Sequence, residues 1–82
     1  MDERTKELIA IGASITANCQ PCLEYHLNKA LQHGADGQDM RDAIAVGQMV
    51  RKGATAKFDG FTKTAMAAAV PSEEQAEGCG CG

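Results

Sequence analysis

Asn18-Cys19-Gln20-Pro21-Cys22-Leu23-Glu24-Tyr25-His26 opens a helix and carries two cysteines three apart with a histidine four further on. Asn18 is a good helix N-cap, because its side-chain oxygen can accept from a free amide of the first turn. Pro21 is tolerated there, since first-turn amides have no helical partner to lose. This reading places Cys19 and Cys22 in the first turn of a helix. Residues three apart share a helix face with Cβ atoms about 5–6 Å apart, close enough to bond after a small adjustment. His26 follows one turn beyond Cys22 on the same face. A helix N-terminus also favours thiolate over thiol. The stretch therefore offers two thiols that can bond, a base beside one of them and a field that ionises them. A CxxC can also be half of a zinc site or two buried small side chains. A redox pair is the preferred reading for this pattern in a reducing compartment.

Upstream, Asp2 caps a first helix expected from Glu3 to Ala17. Leu8, Ile11, Gly12 and Ile15 fall at helical spacing, and Ile9, Ala10 and Ala13 widen the stripe. Such a helix suits burial between neighbours. Gly12 costs helix stability against alanine and is read as permitting close approach of another helix. Glu7 lies at the stripe's edge, where a solvated first-turn acid is the ordinary reading. The second helix is expected from Cys19 or Gln20 to His33, with Leu23, Leu27, Ala30 and Leu31 as its core face. His26 lies beside these and points inward or into an interface. Gly34 reads as the C-cap glycine and His33 as an exposed end-of-helix residue.

Asp36 caps a third element. From Met40, apolar or small residues recur at spacings of four and three, through Ile44, Gly47, Val50, Ala54, Phe58, Phe61, Ala65 and Ala68. One helix from Gln38 to Ala69 is expected, with Gly53 the only plausible bend or break. A helix of some 30 residues is about 45 Å long, which outruns a small three-helix subunit, so its far half is expected to pack on another chain. The folded domain is expected over residues 1–70. Residues 71–82 are rich in Pro, Gly and Glu and read as a disordered tail ending in a second dithiol, Cys79-Gly80-Cys81. There is no internal repeat, no strand with period-two alternation and no glycine-rich phosphate loop.

The 82 residues make one all-α domain by these patterns. Net charge is −3 with no basic block, which excludes a typical nucleic-acid binder. Arg51-Lys52 reads as a solvated helix face. No apolar run approaches the ~20 residues of a membrane span, and the charged opening Met-Asp-Glu-Arg-Thr-Lys-Glu is unlike a signal peptide. A cytoplasmic protein without membrane or nucleic-acid partners is expected. Only three aromatic residues are present, so little area is buried per residue and completion by other subunits is expected.

Glu7, Cys19, Cys22 and His26 together follow the pattern Glu-x11-Cys-x-x-Cys-x3-His. This resembles the alkylhydroperoxidase D-like proteins of the carboxymuconolactone decarboxylase superfamily. The segment Ala43-Ile44-Ala45-Val46-Gly47-Gln48-Met49-Val50-Arg51-Lys52-Gly53-Ala54 looks like the third-helix region of its short, single-core members. The likeness covers roughly residues 3–69 and leaves the tail outside. It implies an all-α helical subunit in a trimer or hexamer, with sites near subunit boundaries. It implies reduction of peroxides or disulfides by a dithiol, with no bound cofactor or metal, re-reduced by an unidentified thiol donor. Carried onto this chain, Cys22 attacks, Cys19 resolves, His26 is the base and Glu7 supports it. Superfamily members that decarboxylate a lactone generally lack the CxxC pair, so its presence favours redox chemistry.

Physical chemistry divides on the nucleophile. The helix N-terminus favours Cys19, whereas the histidine one turn away favours Cys22. A base within hydrogen-bond reach can take the proton directly, and Cys22 is preferred on that ground. A metal-binding module, with Cys19, Cys22, Cys79 and Cys81 as four thiolates, is the alternative function. A structural helical oligomer with incidental thiols is a third. The tail dithiol is further expected to exchange with the Cys19–Cys22 pair, its reach giving it a high effective concentration there.

Overall fold

The computed structural model describes residues 1–70, and the expected tail with Cys79 and Cys81 lies outside that range. Three helices follow one another: α1 (Glu3–Thr16), α2 (Gln20–Gln32) and α3 (Gly37–Ala69). The chain is all-α, as the sequence patterns require. Helical structure runs unbroken through Gly53. Residues Met1–Lys52 form one compact unit, and a second begins at Gly53.

Local chemistry fixes the helix ends. Asp2 Oδ1 accepts from the Thr5 amide at 2.8 Å, and Asp36 Oδ1 accepts from the Asp39 amide at 2.8 Å. Both acids thus satisfy a donor that the first turn leaves free. At the end of α2, Gly34 takes φ +91°. The Ala35 amide then donates to Ala30 O and the Gly34 amide to Leu31 O, which together form a Schellman closure.

The same closure ends α1, and it corrects the expected role of Asn18. That residue is the left-handed one after the C-cap, with φ +56°. Its amide donates to Ile15 O, and the Cys19 amide donates to Ser14 O. Asn18 is therefore not the N-cap of α2. Cys19 is, with the Cys22 amide 3.3 Å from its Sγ. Asparagine is favoured both as an N-cap and in the left-handed region, and here the end of α1 claims it.

The core of the first unit is small. Ile11, Ala30 and Ala35 are buried, with Leu8, Leu23, Leu27, Met40, Ala43 and Ile44 packed against them. Ile11 is the one large side chain among the described residues with no exposure, worth about 1.5–3 kcal/mol. Leu31, expected on the core face of α2, is 56% exposed. Its neighbour Ala30 takes the interior position, because the closure after Gln32 brings Ala35 down onto that side.

Helices α1 and α3 approach through glycine. A Cβ at Gly47 would stand 2.6 Å from Gly12 O and 2.8 Å from Ile15 Cβ. Gly12 does face another helix as expected, though the tighter constraint is on Gly47. Thr16 Oγ1 donates across the contact to Gly47 O at 3.3 Å.

Arg51 corrects a further expectation. It is partly buried rather than solvated. Its Nη1 donates to Ile15 O at 3.1 Å and to Asn18 Oδ1 at 2.9 Å. One turn beyond Gly47, it ties α3 to the α1–α2 corner. In the second unit Phe58 and Phe61 are 64% and 58% exposed, their rings 6.3 Å apart.

Candidate active site

Two helices meet at the CxxC turn. Cys19 and Cys22 are joined as a disulfide with Cα atoms 5.3 Å apart, so the first turn of α2 is closed covalently. Gln20 and Pro21 lie between them at the first two helical positions. Cys22 is exposed, while Cys19 is partly buried.

His26 lies one turn on, and Glu7 reaches it from α1. Its Nδ1 is 2.6 Å from Glu7 Oε1. Glu7 is buried, so it is no solvated first-turn acid. The sequence alone favoured that reading, and only the family likeness pointed away from it. A buried carboxylate costs free energy unless it is partnered, and His26 is the partner that α2 brings. With the carboxylate accepting at Nδ1, the neutral ring carries its proton there and leaves Nε2 as the basic nitrogen. The pair thus sets the imidazole's tautomer and orientation as well as satisfying Glu7.

Tyr25 and Arg51 also belong to this region and were missed from sequence. The Tyr25 ring stands edge-on to the His26 ring, with centroids 5.0 Å apart, and Lys29 Nζ lies 5.9 Å from the Tyr25 centroid. Arg51 and Cys19 line one recess of about 240 Å³ together with Ser14, Asn18, Gln20 and Leu23. A signal for Arg51 existed in its spacing, since it follows Gly47 by four residues on the face that meets α1.

Chemically, the arrangement supplies a disulfide that can exchange with a thiol, one exposed sulfur and an oriented imidazole one turn away. Cys79 and Cys81, expected as accessory thiols, lie outside the described residues. Among the described residues, no helix is long and apolar enough to cross a membrane.

The carboxymuconolactone decarboxylase family model matches residues 1–78. A Paracoccus denitrificans protein named "Uncharacterized protein 4 in cox locus" is 37% identical over 54 residues. The match covers 66% of this chain and 49% of that protein, so the chain spans about half the length of the curated relative it matches. No solved structure matches the chain at a significant level.

Proposed function

Since the chain belongs to the carboxymuconolactone decarboxylase family, we propose that it is a thiol-dependent oxidoreductase that reduces peroxides or disulfides through Cys19 and Cys22. The observation that carries this reading is the Cys19–Cys22 disulfide at the start of α2, with the His26–Glu7 pair one turn away. In the reduced protein, His26 takes the Cys22 proton and the Cys22 thiolate attacks the substrate. A peroxide leaves as an alcohol and Cys22 becomes a sulfenic acid. Cys19 then attacks that sulfur, water departs and the disulfide forms. A disulfide substrate follows the same course through a mixed disulfide, its second thiol leaving when Cys19 attacks. The exposure of Cys22 supports its role as the attacking thiol, and the partial burial of Cys19 supports its role as the resolving one.

Peptide mass mapping after peroxide treatment of the reduced protein should recover the Cys19–Cys22 bond. Cys22→Ser should abolish turnover, and Cys19→Ser should stop at a sulfenic acid or mixed disulfide. Full peroxide reduction by the double serine variant would sink the reading. His26→Ala should slow oxidation by about 10²–10⁴-fold, the usual contribution of a positioned base.

The active form in this reading is a homo-oligomer, a trimer or hexamer. The small core and the exposed Phe58, Phe61, Val46 and Met49 support it. Light scattering at micromolar concentration should give a mass above that of one chain, and a stable monomer would count against it.

A further inference from the structure

We propose that the recess beside Cys19 binds the carboxylate of an acidic thiol, the donor that regenerates the dithiol, on the free edge of Arg51. The inference rests on the redox reading above and adds the chemical class of the reductant and the place where it docks. Among the described residues, the Arg51 guanidinium donates from Nη1 alone, to Ile15 O and Asn18 Oδ1. Those two bonds hold the plane of the group fixed while Nε and Nη2 keep their N–H groups for another acceptor. A planar fork of this kind matches a carboxylate. Arg51 and Cys19 line the same recess, Cys22 does not, and Leu23 supplies an apolar wall. The chain's net charge is −3, and this partly buried cation lining a recess with a cysteine gives an acidic ligand local attraction there.

A thiol held there by its carboxylate presents its sulfur to Cys19 Sγ. Attack forms a mixed disulfide at Cys19 and breaks the Cys19–Cys22 bond, and Cys22 leaves as a thiolate that takes up the donor's proton. A second equivalent of thiol attacks the donor's sulfur in the mixed disulfide. It releases Cys19 as a thiol and the donor as its own disulfide. Two thiols are oxidised and one protein disulfide is reduced. Electrons thus enter through Cys19 and leave through Cys22.

The test measures reduction of the oxidised protein by 3-mercaptopropionate and by 2-mercaptoethanol. Each rate is divided by that thiol's rate with hydroxyethyl disulfide, which removes intrinsic reactivity. The wild-type protein should favour the acidic thiol, and Arg51→Met should lower the acidic-to-neutral ratio by about 5-fold, as for one charge-assisted contact at a partly exposed site. Lys52→Met removes the same charge from the next position and should leave the ratio near wild type. A second measurement needs no variant: propionate, at ionic strength held with chloride, should slow reduction by 3-mercaptopropionate and not by 2-mercaptoethanol. No preference in the wild-type protein, an equal loss in Lys52→Met, or no effect of propionate would overturn the proposal while the redox reading stands. Failure of every thiol to reduce the disulfide would overturn the redox reading and this inference with it.

Discussion

Asp2, the N-cap of α1, and Glu7 within that helix are carboxylates with opposite surroundings. Asp2 is exposed, and the hydrogen bond from the Thr5 amide, first from the backbone, holds its carboxyl below the usual aspartate range. Its folded value therefore lies below its unfolded one. The stabilisation is present above the unfolded value of about 3.9 and is lost as pH falls through the folded one. Asp2→Ala should melt below wild type at neutral pH, and thermal scans should show the two curves converging as pH drops below about 4. Glu7 instead is buried against His26. Glu7→Ala should cost about 1–3 kcal/mol in urea unfolding, the penalty of leaving a part-buried donor without its acceptor, and it should also free the imidazole to rotate. Both effects separate Glu7 from a surface acid, whose removal would move neither.

Helices α1 and α3 meet where two glycines remove all side-chain thickness, and glycines on one helix should respond oppositely to alanine. At Gly47 the added carbon meets backbone at 2.6 Å, and overpacking costs about 1–3 kcal/mol. At Gly53 nothing lies within 4 Å, and the substitution should gain about 0.5–1 kcal/mol of helix propensity. Chemical denaturation of Gly47→Ala and Gly53→Ala should therefore shift in opposite directions. The helices themselves were legible because their signals are local: Asp2, Asp36 and Gly34 sit where the caps form. Asn18 was misassigned because its type suits either side of the same corner, and the Schellman closure on Ser14 and Ile15 decides between them. Leu31 and Ala30 are adjacent on one stripe, so which of them is interior depends on where Ala35 folds back. Arg51 looked solvated beside Lys52, and its partners stand more than thirty positions away in the chain, beyond the reach of any local pattern.

Across the whole molecule, four residues spread from position 7 to position 26 gather around one corner. Glu7 came to attention through the motif's spacing, but its burial depends on how α1 meets α2. The stripe through Phe58, Phe61 and Ala65 was equally readable as a period. A period shows which face is apolar and does not identify what covers it. The proposed exchange between the Cys79–Cys81 thiols and the core pair belongs to this scale. Truncation after Glu77 should leave oxidation of Cys19 and Cys22 by a small peroxide intact and slow their re-reduction by a protein donor. Rates from rapid mixing would test it, and unchanged re-reduction would remove the tail from the cycle.

The chain has one tyrosine and no tryptophan, and that tyrosine stands edge-on to His26. Phenylalanine emits only weakly, so nearly all of the protein's near-ultraviolet emission originates at one ring beside the site. Opening the sulfur bond at the head of α2, one turn from that ring, should alter its quenching. The unlabelled protein thus carries its own optical gauge, and each turnover at Cys19 and Cys22 should register as a change in light output from Tyr25.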